Sequence, residues 1–310
     1  MEMRIEPRVL QGRLAAIPAK SHLHRLLICA SLADQPTAIE APLASQDIEA
    51  TSRCLRALGA GVSRVGSQIR VRPIAGAQEN PLLDCGESGS TLRFLLPVAT
   101  ALTRQARFAG SGRLPERPIS HLLAELTRHG VDFTNERLPL ASRGQLRAGD
   151  YRLPGNISSQ YISGLLLALP KCPGPSTIRL ITAVESAAYI DITLATLAQF
   201  GVSVSILPGA YGIPVGQRFR SPGRIRAEGD WSNAAFFLAA GALAGEVTVS
   251  GLDQASPQGD KQILAILKDF GAEVRLAGDS VTVRPGQLRG RAVDISQAPD
   301  LLPVLAVVAA

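Results

Sequence analysis

Three phrases in the chain put hydroxyls where apolar helices should begin, two of them with cations beside them, a pattern suited to holding anions. The first is Pro18-Ala19-Lys20-Ser21-His22-Leu23-His24-Arg25, followed at once by the apolar run 26–33. Ser21 reads as an N-cap and the apolar run as a buried helix, so Lys20 and Ser21 stand at a helix N-terminus with Arg25 one turn in, facing the same way. Free N–H groups, the positive end of the helix dipole, a hydroxyl and two cations would then converge on one oxyanion. Taken alone, the phrase reads equally as a capped surface helix with basic residues. The second phrase is Gly86-Glu87-Ser88-Gly89-Ser90-Thr91-Leu92-Arg93 and the third is Ser158-Ser159-Gln160. Both precede apolar runs, and both put hydroxyls where a helix should begin.

The elements that must position these phrases form a tandem series. A phrase of the type Leu-Arg-Ala-Leu-Gly-Ala-Gly-Val returns with its glycine at Gly59, Gly130, Gly201 and Gly271, at almost constant intervals. Each copy predicts an amphipathic helix stopped by a C′ glycine and followed by an alternating strand. Upstream lie strands at 37–40, 106–109, 177–181 and 246–250, and before them more apolar helices at 26–33, 92–102, 161–169 and 234–244. Ser21, Ser90, Ser159 and Ser232 mark the starts of these apolar helices and recur in register with the glycines. If the units pack around a pseudo-symmetry axis, several helix N-termini face one region and share an anion site. Asp300 falls one further interval beyond Ser232 and opens a fifth apolar helix, 301–310, with which the sequence stops. The expectation is an incomplete chain with an apolar face left uncovered.

The totals narrow the partners. At 310 residues the chain exceeds one ordinary domain; 46% hydrophobic and 19% charged residues support a large core. A net charge of +6 suggests an anionic partner. Aromatics at 4%, one Trp and dispersed arginines argue against nucleic acid and favour small anionic metabolites. Cys29, Cys54, Cys85 and Cys172 form no C-x-x-C pair and read as reduced, mostly buried thiols of a cytoplasmic protein. No targeting segment and no membrane-spanning run is visible.

At this point the chain resembles the 5-enolpyruvylshikimate-3-phosphate synthase (3-phosphoshikimate 1-carboxyvinyltransferase) family. The resemblance is carried, in the family's order, by the Lys20 and Gly89 phrases, Leu114-Pro115-Glu116-Arg117-Pro118-Ile119, Ser158-Ser159-Gln160, Tyr189-Ile190-Asp191-Ile192-Thr193, Glu228-Gly229-Asp230, Gln258-Gly259-Asp260 and Pro299-Asp300. It implies an α/β (α+β) fold of two domains, each made of repeated βαβαββ units around buried helices. Residues 19–227 would form a complete domain of three repeats, and 1–18 with 228–310 a partial second one.

The implied reaction transfers the enolpyruvyl group of phosphoenolpyruvate to shikimate 3-phosphate and releases phosphate, a step of aromatic amino acid biosynthesis. Both substrates are polyanions, which agrees with the excess of Lys and Arg. By the same resemblance Lys20 lies near both substrates. Ser21, Arg25, Ser158 and Ser159 belong to the shikimate 3-phosphate side, with Gln160 between the substrates and Ser186 and Tyr189 bordering the pocket. Gly89 and Arg117 belong to the phosphoenolpyruvate side, and Arg93 is a recurring residue with a structural reading. Asp300 is the carboxylate near the reacting hydroxyl, catalytic together with Lys20; without the family it reads as a helix cap. No metal or organic cofactor is implied, and the partners are small molecules rather than nucleic acid or membrane, acting on a monomer.

The family's catalytic glutamate and its late arginines and lysine have no match before Ala310, so this chain is expected to turn over weakly or not at all. Phe94 stands where many members have proline and Glu87 where many have asparagine, both on the phosphoenolpyruvate side. One alternative is UDP-N-acetylglucosamine enolpyruvyl transferase, which has an asparagine where Ser21 stands and a reactive cysteine in the loop matching 110–118. The other is a non-catalytic binding protein of the same fold.

Overall fold

A computed structural model of the chain describes Glu6 and residues 8–310. The chain divides into two compact units: Lys20–Ala227, and Met1–Ala19 together with Glu228–Ala310. No helix among the described residues is long and apolar enough to cross a membrane.

The larger unit holds six helices, α1 (Lys20–Leu32), α2 (Gln46–Ala57), α3 (Gly89–Leu102), α4 (Ser120–Arg128), α5 (Ser159–Ala168) and α6 (Ala188–Gln199). The smaller holds α7 (Trp231–Leu243), α8 (Ile263–Phe270) and α9 (Leu302–Ala309). Odd and even members differ as their sequences require. In α1 every residue from His22 to Leu32 is buried, and α3 and α5 are covered nearly as fully, because they are apolar on all sides and lie inside. In α2 and α4 one face is apolar, and only that face is buried. The even helices end at the repeating glycines, all with positive φ: Gly59, Gly130, Gly201 and Gly271 at 109°, 95°, 72° and 104°.

Four sheets share one pattern, an outer strand parallel to its neighbour followed by two antiparallel strands. In the larger unit they run Leu82–Asp84, Gln105–Ala109, Leu140–Gly144, Val131–Phe133; Asp150–Leu153, Ser176–Leu180, Ala210–Ile213, Ser205–Leu207; and Arg224–Arg226, Thr37–Glu40, Gln68–Arg72, Gly61–Val65. In the smaller unit the order is Gly12–Ala15, Val247–Ser250, Ser280–Arg284, Glu273–Ala277. The strand preceding α1 is thus exchanged. Gly12–Ala15 pairs with Val247–Ser250, and the place beside Thr37–Glu40 is taken by Arg224–Arg226 from the end of the larger unit.

The sequence places its strands within a residue of those observed, but sets the starts of the apolar helices too late. Ser21 is not an N-cap: α1 begins at Lys20, which makes Ser21 its second residue. Ser90 and Ser232 are likewise second residues of α3 and α7, capped from upstream by Ser88 and Asp230. Ser159 is the first residue of α5, capped by Ser158. The recurring serines are therefore first-turn residues whose hydroxyls are not committed to capping. Asp300 stands on a short 3-10 turn, Pro299–Leu301, directly before α9. In the smaller unit α7 and α9 expose Phe236, Phe237, Leu243, Leu302 and Val307. All four cysteines are free and buried. Burial raises the Cys29 and Cys172 thiols, and Cys85 is raised first by its hydrogen bond with Cys54 and then by burial.

Candidate active site

Lys20 opens α1 at the surface, its Nζ 2.8 Å from Asp47 Oδ2 in the first turn of α2. That turn is fixed from beneath by a chain of buried groups. His24 Nδ1 lies 2.8 Å from Thr51 Oγ1, Thr51 Oγ1 lies 2.7 Å from Thr91 Oγ1, and Thr91 Oγ1 donates to Ser88 Oγ at 2.8 Å. Ser88 in turn caps α3 by accepting from Thr91 N at 3.2 Å. Thr91 Oγ1 also lies 3.3 Å from the Asp47 carbonyl, so the first turns of α2 and α3 are joined and the Lys20–Asp47 pair and the Gly89 turn share one support. Burial holds His24 neutral, its pKa lowered to about 3; the charge of Asp47 opposes this, and those of Lys20 and Arg25 reinforce it.

Arg25 is only 2% exposed, so it does not face outward beside Lys20 as its spacing suggests. Its guanidinium donates Nε to Thr193 Oγ1 at 2.6 Å, Nη1 to the Ser21 carbonyl at 2.6 Å, and Nη2 to the Tyr189 carbonyl at 2.7 Å and Ser163 Oγ at 3.3 Å. The Phe94 ring lies 4.8 Å from the guanidinium carbon. Desolvation lowers its pKa to about 9, still above neutrality, so a full positive charge sits at the meeting point of α1, α3, α5 and α6 without a carboxylate in contact. The turn before α6 is shaped for this bond: Ser186 adopts a φ of 56° and its carbonyl accepts from Tyr189 N at 3.2 Å.

A second cationic cluster surrounds Gly89. A Cβ there would lie 2.8 Å from Arg117 Nη1 and 3.3 Å from Arg93 Nη1, so both guanidiniums rest against the bare backbone at the start of α3. Arg93 donates Nη1 to Gln160 Oε1 at 2.7 Å and Nη2 to the Pro118 carbonyl at 3.3 Å. Gln160 Nε2 donates to Ser90 Oγ at 3.0 Å, and Gln160 N donates to Ser158 Oγ at 3.3 Å. Burial lowers the Arg93 pKa. Arg93 thus clamps α5 to α3, while the exposed Arg117 is held by no salt bridge among the described residues. A close approach of backbones makes this possible: at Gly164 a Cβ would overlap the Arg93 carbonyl.

In the larger unit, then, Arg25, Tyr189 and Ser186 come together, as do Gly89, Arg93, Arg117, Gln160 and Ser158, and α5 and α3 contribute to both groups. Ser159 is buried in the first turn of α5. Thr91, from the second phrase, belongs to the same constellation, as do Asp47, Thr51 and Ser163, which carry no signal in the sequence beyond being polar. In the smaller unit Asp300 is exposed, and its charge, with that of Asp230, adds to burial in raising Asp260 to about 7. Among the described residues no group of three or more metal-ligating side chains occurs. Taken together, the larger unit offers first-turn hydroxyls, a bare glycine backbone and four cations, an arrangement for holding phosphate and carboxylate oxygens.

The fold is that of the enolpyruvyl transferases. It matches a solved EPSP synthase from Acinetobacter baumannii with a TM-score of 0.80 at 21% identity, over 97% of this chain and 71% of that one. It also matches the enolpyruvyl transferase NikO from Streptomyces tendae with a TM-score of 0.72 at 18% identity, over 97% and 72%. The sequence is more specific. The family model described as EPSP synthase (3-phosphoshikimate 1-carboxyvinyltransferase) matches residues 5–310. Proteins named 3-phosphoshikimate 1-carboxyvinyltransferase are 39% identical in Clostridium kluyveri, over 98% of this chain and 72% of that protein, and 37% identical in Methanocorpusculum labreanum, over 100% and 74%. The chain belongs to the EPSP synthase family.

Proposed function

We propose that the protein transfers the enolpyruvyl group of phosphoenolpyruvate to shikimate 3-phosphate with release of phosphate. The observation that carries this reading is the pair of cationic clusters on the shared α3 and α5 framework, two anion holders in a family whose two substrates each bear a phosphate and a carboxylate. Lys20, Ser21, Arg25, Ser158, Ser159 and Gln160, with Ser186 and Tyr189 at the border, are assigned to shikimate 3-phosphate. Gly89 and Arg117, with Lys20 and Gln160, are assigned to phosphoenolpyruvate.

The chemistry then asks three things of the chain. Cations must neutralise oxygens that would otherwise repel each other, and Lys20 and Arg117 can do so from the surface. The reacting hydroxyl must lose a proton, and Asp300 is proposed as the carboxylate that takes it. The methylene carbon must gain one as the hydroxyl oxygen bonds to the carbon beside it, with Lys20 the proposed donor, and must give one up again as the bond to phosphate breaks and the double bond returns. Arg25, buried and fixed by four bonds to the protein, is assigned to the shikimate 3-phosphate side as a fixed positive charge rather than as a group that exchanges protons. The reading includes a monomeric, cytoplasmic enzyme with no nucleic-acid or membrane partner, supported by few aromatics and dispersed arginines. The UDP-N-acetylglucosamine reading has no support among the named relatives.

The test is phosphate release in the presence of either substrate or both, with the enolpyruvyl ether detected by NMR. Weak release that requires both substrates, and is lost in Lys20→Met and Asp300→Asn, is the expected result. Tight binding of both with no ether formed would instead establish the non-catalytic binding protein.

A further inference from the structure

A cavity of about 690 Å³ opens on the first sheet of the larger unit, lined in part by Arg56, Arg70 and Arg72. Its size is that of a small-molecule pocket, and it is made from residues assigned to neither substrate. Alternation along Gln68–Arg72 turns Ile69 and Val71 into the core and leaves Arg70 and Arg72 exposed on the opposite face.

Two of the cations converge on one dipeptide. Arg56, in the last turn of α2, donates Nη1 to the Val62 carbonyl at 3.2 Å. Arg72 pairs in register with Gly61, and its guanidinium folds across that glycine, with Nε 2.6 Å and Nη2 3.0 Å from where a Cβ would stand. The missing side chain is what makes room for it. No carboxylate lines the cavity, and among the described residues neither these two arginines nor Arg70 enters a salt bridge. Glu40, on the same face, stands opposite Gln68 and is not part of the lining. The C-terminal end of α2 accounts for the placement of Arg56 alone. It does not account for Arg72 lining the same cavity, where it adds a second positive charge without a carboxylate. Between two guanidiniums held this way an oxyanion completes the electrostatics. The rest of the wall is made of small residues, with Pro36, Ala38 and Ala60 apolar and Thr37 and Ser63 bearing hydroxyls.

We propose that this cavity is a second binding site, for a small amphiphilic oxyanion: a phosphomonoester or carboxylate headgroup between Arg56 and Arg72, with an apolar body against Pro36, Ala38 and Ala60. The site is independent of the reaction proposed above, and its test needs no turnover.

The experiment is calorimetric titration of the 310-residue chain with phenyl phosphate, benzoate and inorganic phosphate. Saturable binding at one site per chain is expected for an aryl probe, with inorganic phosphate weaker by about tenfold for want of the apolar body. The tighter of phenyl phosphate and benzoate names the headgroup. Arg72→Gln should weaken the preferred probe by at least about tenfold, and Gly61→Ala should do the same without altering net charge, by displacing the Arg72 guanidinium. Lys20→Met should leave it unchanged. Should Gly61→Ala fail to fold by circular dichroism, Arg56→Gln takes its place. Binding lost in Lys20→Met but kept in Arg72→Gln would move the probe to the substrate clusters and end the proposal. Equal weakening by Arg107→Gln, on the separate sheet that holds Gln105–Ala109, would reduce it to diffuse surface charge, and no saturable binding of either aryl probe would refute it outright.

Discussion

Arg25 donates Nη2 to the Tyr189 carbonyl at 2.7 Å, which ties the helix beginning at Lys20 to the first turn of α6, far along the sequence. The bond is one of four made by a guanidinium with almost no contact with solvent.

Replacing Arg25 therefore affects stability as well as binding. Arg25→Met leaves the Tyr189 carbonyl and the Ser163 and Thr193 hydroxyls short of a donor, at a cost of about 1–3 kcal/mol. Arg25→Lys keeps a cation but cannot serve all four acceptors, and falls between. Urea unfolding followed by near-ultraviolet circular dichroism of the tyrosines gives the stability. Titration with shikimate 3-phosphate gives the affinity, expected to fall in both variants, and an unchanged unfolding midpoint would show that the bonds contribute nothing.

Gly89→Ala should separate position from stability. The new methyl meets the far end of Arg117, which no salt bridge among the described residues holds and which can swing away, and Arg93 Nη1 at 3.3 Å, which has to give by only a few tenths of an ångström, so the unfolding midpoint should move by no more than about 0.5 kcal/mol. Displacement of Arg117 should raise the KM for phosphoenolpyruvate by about ten- to a hundredfold and leave that for shikimate 3-phosphate nearly unchanged. Equal loss for both substrates would contradict the assignment of Gly89 and Arg117 to one of them.

The two units should respond to acid in opposite directions. His24 stays neutral when folded down to about pH 3 but takes up a proton near 6.5 when unfolded, so the larger unit loses stability as pH falls below 6.5. Asp260 is protonated up to about pH 7 when folded and only to about 3.8 when unfolded, so its contribution is fully present below 3.8 and disappears as pH rises through 7. Each effect has a limiting slope of about 1.4 kcal/mol per pH unit. The four tyrosines, Tyr151, Tyr161, Tyr189 and Tyr211, all lie in the larger unit, and the single tryptophan, Trp231, is buried in the smaller. Between about pH 6.5 and 4.5, tyrosine signals should show an earlier urea midpoint on acidification and Trp231 fluorescence a later one. His24→Asn should flatten the first trend and Asp260→Asn the second.

The repeating glycines should not be equivalent. At Gly201, with φ at 72°, a Cβ meets Arg220 at an ordinary 3.5 Å, so Gly201→Ala bears only the left-handed backbone cost of about 1–2 kcal/mol. At Gly271 the Cβ would overlap the Gln287 carbonyl, so Gly271→Ala must also move backbone and should lower thermal stability further. Equal melting temperatures for the two variants would contradict this.

The repeat and its glycines made the secondary structure readable, because a C′ glycine and a change of hydrophobic period are local facts. Helix starts were less readable. Lys20 follows Pro18-Ala19, with no capping side chain to mark it, and the conspicuous Ser21 falls one residue inside. The orientation of Arg25 was hidden for another reason: a helix buried on every side has no polar face to say which way a cation points. Asp47, Thr51 and Thr91 come from separate stretches joined only by packing, and no spacing in the chain announces that they meet. Asp260 stood in a quoted motif, yet its raised pKa comes from burial and from Asp300 and Asp230, which are distant in sequence.

The strand exchange sets a schedule for synthesis. Gly12–Ala15 leaves the ribosome ahead of the larger unit, but Val247–Ser250, the partner it pairs with, follows only after that unit is complete. At roughly 5–20 residues per second the early strand waits on the order of 10–50 s with its backbone groups unpaired, while the entire larger unit emerges and can fold. Chaperone capture or translation pausing should therefore act on Gly12–Ala15 before it acts on any strand of the larger unit.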